Sequence, residues 1–344
     1  MRVLVTGVDG YIGSLLAPLL LQKGWDVVGL DTGYYREGWL YNDPEGAPVF
    51  PKVLTKDLRM VDVRDLEGFD AVVHLAELSN DPLGANNPTV TNSINHLGSV
   101  RLATLAKKAG TKRFVYTSSC SVYGLGTGHF LSEEDEVNPQ TTYAECKVLV
   151  ERDVTKLADS EFSPTFLRNA TAYGASPRMR FDIVLNNLCG HAWTTSKIAM
   201  TSDGTPWRPL THVLDICGAI LCTLKAPRES VSGEIFNVGH NADNHQIREI
   251  AEIVAEVFPD CQLSVGPSGG DDRSYRVSFD KISQRLPDFR CRWAARQGAE
   301  QLRNLFERID MPQETFEFRA FTRLKQLEFL IRTKQIDQDF FWRE

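Results

Sequence analysis

The chain has 344 residues, 42% of them hydrophobic, and a formal net charge of −7. That length suits one large or two intimate domains with a sizeable core, and the negative balance, with no basic run, argues against bulk nucleic-acid binding. Seven scattered cysteines without a CxxC pair signal neither zinc nor a disulfide framework. No apolar run approaches membrane-spanning length and no charged leader precedes the first strand, so a reducing cytoplasm is the expected setting.

Arg2-Val3-Leu4-Val5 reads as a buried strand. It runs into Thr6-Gly7-Val8-Asp9-Gly10-Tyr11-Ile12-Gly13, after which Leu15, Leu16, Leu19 and Leu20 mark a helix. Strand, glycine turn and helix is the context in which backbone amides at a helix N-terminus touch a pyrophosphate. Gly7, Gly10, Tyr11, Ile12 and Gly13 are therefore expected to hold a dinucleotide; a tight turn without ligand is the competing reading. The second strand, Asp26–Leu30, ends at Asp31, an acceptor for both adenosine ribose hydroxyls that would repel a 2′-phosphate. No Arg or Lys follows before Arg36, which favours NAD over NADP. Asp57-Leu58 follows Val53-Leu54 and is placed to hold the adenine amino group, with a solvated loop acid as the alternative. Ala71–Ala76 is a fourth buried strand, with Leu75 and Ala76 expected beside the cofactor's phosphates and His74 packed inside it.

Helices are expected at about 95–109 and 142–158, and strands at 113–118, 165–169 and 234–238. This alternation predicts an α/β, doubly wound parallel sheet. After Gly174 the texture becomes polar and irregular. The expected division is a cofactor domain at 1–173 plus about 211–240, and a smaller mixed α/β substrate lobe at about 174–210 plus 241–344, ending in a helical tail. Phe318, Phe321, Leu324, Leu327 and Ile331 fall on one helical stripe, expected to pack on the substrate lobe.

Ser118-Ser119-Cys120-Ser121-Val122-Tyr123-Gly124 ends the 113–118 strand, and Tyr143-x-x-x-Lys147 follows on a helix. Together with the glycine turn, Asp31, Leu75-Ala76, Asn95, Leu167-Arg168-Asn169, Tyr173-Gly174 and Arg208-Pro209-Leu210-x-His212-Val213-x-Asp215, these motifs resemble the extended short-chain dehydrogenase/reductases, specifically the NAD-dependent nucleoside-diphosphate-sugar epimerase/dehydratase family, over about 1–300. The resemblance implies a Rossmann-type cofactor domain. It implies Tyr143 as the base that takes a sugar hydroxyl proton while hydride passes to the nicotinamide. Lys147 would hold the nicotinamide ribose and favour the phenolate, since a free phenol near pKa 10 is a poor base at neutral pH. Ser119 matches the catalytic Ser/Thr; Ser118 and Asn95 fall in the cofactor set, Ser118 reading as structural. The family also implies a homodimer through the helices near 95–109 and 142–158.

The residues beside Ser119 bear on the reaction. The family's 4,6-dehydratases carry Asp-Glu there, and its UDP-glucuronate decarboxylases a Glu; this chain has Cys120 and Ser121. The remaining chemistry needs Tyr, Lys, Ser and NAD, which is epimerisation at C4 through a transient 4-keto sugar, as in the UDP-galactose 4-epimerases. A C4 oxidoreductase or a dehydratase on a nucleotide-sugar is the alternative; a non-catalytic cofactor-sensing regulator is a remote one. By the same resemblance the substrate set is Glu77, Ser119, Cys120, Ser121, Asn169, Asn187 and Arg208, with Arg273 or Arg276 standing in for a second phosphate arginine. Asn169 and Glu77 replace an aromatic wall and a small residue, which suits a sugar with an extra polar group.

Overall fold

The computed structural model describes residues 1–42, 49–79, 85, 87–269 and 273–343. Seven strands form the main sheet: β1 (Arg2–Thr6), β2 (Asp26–Asp31), β3 (Lys52–Thr55), β4 (Ala71–His74), β5 (Arg113–Ser119), β6 (Ser163–Asn169) and β7 (Ile235–Val238). Their spatial order is β7-β6-β5-β4-β1-β2-β3 and every neighbouring pair is parallel. The order reverses between β1 and β4. Outside the carboxyl ends of strands at such a reversal lies the crevice in which doubly wound folds bind ligands. β4 reads BBBB and β6 is buried throughout, as a sheet covered on both faces requires.

One face packs Val3, Val5, Leu16, Leu20 and Val73 with Ile216, Ile220, Phe279 and Phe289. The other packs Leu4, Leu30, Val72 and Phe114 with Leu102, Val150 and Phe162. Phe279 and Phe289 belong by sequence to the substrate lobe yet complete the first of these cores. The helix expected at 95–109 is in fact a π-helical turn, Asn92–Gly98, followed by an α-helix at Ser99–Lys108. A three-stranded sheet (Thr171–Tyr173, Trp207–His212, Asn244–Gln246) and the helices Val184–Thr195, Ile247–Val257 and Ala295–Arg308 build the second half around Phe181, Leu185, Val254 and Phe306.

The tail departs from its expected place. Phe318 and Phe321 do join the substrate-half core. From Leu324 onward, however, the helix Arg323–Arg332 packs on the cofactor half: Leu327 and Leu330 are buried with Tyr34, Leu78, Val90 and Ile94.

Candidate active site

The glycine turn is shaped by what it excludes. Gly7 has φ +71°, and a Cβ on it would lie 2.8 Å from the Ala76 amide nitrogen. A Cβ on Gly13 would lie 2.3 Å from the Gly7 carbonyl oxygen. The helix Gly13–Gln22 starts at Ile12 with no side-chain cap, so its N-terminal amides are not claimed by a neighbouring hydroxyl or carboxylate, and the positive end of the helix faces the crevice. Thr6 Oγ1 ties the two sides of the reversal together: it accepts from the Leu75 and Ala76 amides at 3.2 and 3.3 Å and meets His74 Nδ1 at 2.7 Å. Burial drops His74 to about 3, so the ring is neutral and structural.

Asp31 stands at the end of β2. Its oxygens accept from the Asp9 amide at 3.1 Å and the Gly33 amide at 2.7 Å. Burial, and then the neighbouring Asp9, push it up to about 6, against those two amides. Asp57 is less available than expected. Arg59 takes both of its oxygens, Nε at 2.9 Å and Nη2 at 2.7 Å, while Asp57 still lines the cavity, so the ion pair orients the carboxylate and a ligand's amino group would share it.

β5 carries the serines to the site, and period two sends them to opposite faces. Ser118 Oγ donates to Glu151 Oε1 at 2.5 Å, beside the Arg168–Glu151 ion pair, and is structural. Ser119 Oγ accepts from the Ser121 amide at 3.1 Å, which leaves its hydroxyl hydrogen to donate. The helix Thr142–Thr155, capped by Thr141 Oγ1 on the Ala144 amide, holds Tyr143 and Lys147 one turn apart, with Lys147 Nζ 5.3 Å from the Tyr143 ring centroid. Lys147 is buried. It donates to the Thr117 carbonyl at 2.5 Å and forms an ion pair with Glu77, whose other oxygen accepts from Tyr116 Oη at 2.6 Å. Burial pulls the Lys147 ammonium down, and Glu77 and then Tyr143 pull it up; the net displacement is upward. Burial raises Glu77, against the pull of Lys147.

One continuous cavity of about 800 Å³ runs between the halves. Gly7, Gly10, Tyr11, Ile12, Gly13, Asp31, Asp57, Leu58, Leu75, Ala76, Glu77, Ser118, Ser119, Ser121, Tyr143, Lys147, Asn169, Asn187, Arg208 and Arg273 all line it. Asn169 Oδ1 and Ser121 Oγ are buried there without a hydrogen-bond partner among the described residues, and such atoms call for a ligand's donors. Three expected residues lie elsewhere. Cys120 is buried, with Sγ on the Arg168 carbonyl at 3.1 Å, and burial pushes its thiol well above the usual range; it is packing, not substrate contact. Arg276 lies over the Phe130 and Trp207 rings at 4.8 and 5.2 Å, leaving Arg273 at the cavity. Asn95 sits under the cavity wall, where its amide clamps both the N–H and C=O of Leu78 at 2.9 Å. The sequence reading passed over Arg180, Asp182 and Arg323, which also line the cavity. Arg180 holds Asp182 through Nε at 2.8 Å and Nη2 at 3.1 Å. Its clue was the Arg178-Met179-Arg180 run.

A glycine cradle with no room for a Cβ, a carboxylate at the next strand end and a Tyr–Lys pair beyond the reversal are the arrangement expected of a dinucleotide-dependent enzyme. The NAD dependent epimerase/dehydratase family profile matches residues 3–239, and the chain belongs to that family. It is 32% identical over 304 residues to a UDP-glucose 4-epimerase of Mycolicibacterium smegmatis, covering 83% of this chain and 92% of the relative. It is 27% identical over 296 residues to a UDP-N-acetyl-alpha-D-glucosaminuronate decarboxylase of Bacillus cytotoxicus, covering 83% and 89%. Its backbone is similar to that of MoeE5 in complex with UDP-glucose and NAD, with a TM-score of 0.76, 29% identity and coverage of 90% and 99%. The protein is thus an NAD-dependent enzyme of the nucleotide-sugar epimerase/dehydratase family. Its residues fit the cofactor: the Gly7–Gly13 turn would receive the pyrophosphate, Asp31 the adenosine ribose, and Lys147 and Tyr143 the nicotinamide end.

Proposed function

We propose that the protein epimerises a nucleoside-diphosphate-sugar at C4. NAD, when bound, supplies the acceptor and donor of hydride. Tyr143 takes the proton of the C4 hydroxyl, and Ser119 donates a hydrogen bond to the same oxygen. Lys147 holds positive charge beside the phenol, where it favours the phenolate. After the keto sugar has turned over, Tyr143 returns the proton to the C4 oxygen while C4 takes the hydride back on its opposite face. Arg208 and Arg273 hold the diphosphate, and Asn169, Ser121 and Asn187 receive the sugar hydroxyls.

The observation that carries this reading is the state of the carboxylates. Elimination or decarboxylation assisted by a side chain needs an acid or base beyond the tyrosine. Among the described residues lining the cavity, Asp57 is held by Arg59, Glu77 by Lys147 and Asp182 by Arg180, while Asp31 lies at the cofactor's ribose end. Among the described residues, the two that follow Ser119 are the buried Cys120 and Ser121, which brings a hydroxyl and no carboxylate. The reading extends to a homodimer through the helical stretch 92–108 and the helix Thr142–Thr155, joined on one surface by His96 of the π-helical turn and Asp153 at 2.9 Å, with Leu97 57% exposed next to them.

The test uses a nucleotide-sugar deuterated at C4. Inverted C4 stereochemistry with deuterium retained and no net NADH supports epimerisation. Stoichiometric NADH with release of a keto sugar moves the assignment to an oxidoreductase.

A further inference from the structure

The segment beyond Pro312 belongs to neither half alone. Phe316 and Phe321 meet Phe181 edge-on at 4.9 and 5.7 Å in the substrate half. The helix Arg323–Arg332 then crosses to Tyr34 and Leu78. Tyr34 follows β2 and Leu78 follows β4, so these residues flank the reversal of strand order from its two sides. The helix therefore bridges two stretches that both line the cavity.

Arg323 opens that helix. It is 3% exposed and yet lines the cavity. Its guanidinium donates to the Ala320 and Arg178 carbonyls at 3.2 and 3.4 Å and lies 4.1 Å over the Tyr35 ring. Arg178 and Arg180 are its charged neighbours, and the carboxylate set against the group is that of Asp182, already held twice by Arg180. Burial, reinforced by Arg180, brings Arg323 down to about 10. A buried cation beside other cations needs an anion. Arg180 also reaches the Ser79 carbonyl at 3.3 Å, past the end of β4, so the surplus charge lies over the reversal. Arg208 and Arg273, the cations for a nucleotide-sugar, are carried by different elements.

Further along, the segment reaches the adenosine end. Trp342 Nε1 donates to the Thr32 carbonyl at 2.7 Å, directly after Asp31. Arg59, which holds Asp57, lies 3.6 Å over the Phe341 ring and donates to the Asp339 carbonyl at 2.7 Å. A second cavity of about 630 Å³ is walled by Phe341 and Trp342 and shares Thr32, Tyr34, Lys56 and Asp57 with the main one.

We propose that residues 319–343 form the outer wall of the NAD site, with Arg323 facing the cofactor's diphosphate and Phe341–Trp342 closing its adenosine end, so that NAD stays captive between turnovers. This rests on the redox-neutral reading above, since a C4 oxidoreductase must release NADH at each turnover; NADH build-up would overturn that reading, whereas NAD exchange in the variants tests the wall itself. An oxyanion at Arg323 has two sources, the cofactor and the nucleotide-sugar, and the test separates them.

NAD released on denaturation is quantified for the wild type and for Arg323→Gln, Arg323→Lys and Trp342→Ala, each checked for folding by circular dichroism. Exchange of bound NAD against isotopically labelled NAD gives the off-rate, and UDP-glucose titrated onto the NAD-loaded proteins gives the substrate side. Loss of a charge-assisted contact predicts NAD exchange roughly tenfold or more faster in Arg323→Gln, partly restored in Arg323→Lys. Trp342→Ala should also exchange faster, and UDP-glucose binding should be unchanged. Wild-type exchange rates in the folded variants would overturn the proposal, as would an Arg323→Gln protein that loses UDP-glucose response while holding NAD normally. If Arg323→Gln does not fold, the 44%-exposed Trp342 decides: wild-type exchange in Trp342→Ala rejects the wall.

Discussion

Lys147 and Glu77 form an ion pair beneath the reaction site, with the Glu77 carboxylate on the same ammonium that is to favour the Tyr143 phenolate. The pair is buried on both sides, so the charge of Lys147 is shared between the acid below and the phenol above. Glu77 is therefore a positioning residue that sets how much of that charge Tyr143 feels.

Glu77→Gln removes the shielding. The ammonium then acts more fully on the phenol, and the acidic limb of the kcat profile should move to lower pH. The same change leaves a buried cation unmatched and should lower stability by about 3–5 kcal/mol, read by denaturant unfolding. An unchanged pH profile in a folded Glu77→Gln protein would remove Glu77 from the mechanism.

Tyr143→Phe keeps the ring and removes the proton acceptor. Turnover should fall about 10²–10⁴-fold, while NAD remains bound at wild-type stoichiometry. Wild-type activity in this variant would refute the catalytic assignment.

Asp31 gives NAD affinity a pH dependence. Its folded value of about 6 lies above its ordinary 3.8, so without cofactor the folded protein favours the protonated acid. Ionisation weakens the apoprotein as pH rises through that interval, and apoprotein stability recovers as pH falls back through it. Ribose hydroxyls donate to the ionised carboxylate and stabilise it, so NAD binding releases a proton near pH 6. Affinity should rise between pH 5 and 7 and then level off. Calorimetry in two buffers of different ionisation enthalpy checks this, and Asp31→Asn should flatten the curve while narrowing the preference for NAD over NADP.

Leu97→Arg tests assembly. If the exposed Leu97 lies in a dimer interface, the substitution should shift sedimentation from dimer to monomer at micromolar concentration. A wild type that sediments only as monomer rejects the interface.

The parts of the site legible in the sequence are those whose geometry is local. The Gly7–Gly13 turn, Asp31 at a strand end, Ser119 at the next residue out from Ser118, and Tyr143 with Lys147 one helical turn on all follow from short-range periodicity. Glu77 and Lys147 are distant in sequence and meet because the helix Thr142–Thr155 sets Lys147 on the Thr117 carbonyl of β5, beside β4, so their pairing could not be read. The tail misled for a different reason. A single stripe from Phe318 to Ile331 presumes a single helix, but the chain breaks between the turn at Arg319–Phe321 and the helix starting at Arg323, and the stripe divides between two cores. The π-helical turn at Asn92–Gly98 likewise displaced the expected helix start.

The hydrogen bond from Tyr34 Oη to the Phe340 carbonyl joins residues 306 apart, and Phe279 and Phe289 sit in the same core as Val3 and Val5. The stretch 3–239 that carries the family's signature is consequently not a self-sufficient folding unit. Cut after Gly239, it would present bare apolar surface on the sheet face that Phe279 and Phe289 cover and lose the cover over Tyr34 and Leu78. The two halves should melt together in one cooperative transition, and amides of β1 and of the helix Ala295–Arg308 should exchange with solvent through the same global opening.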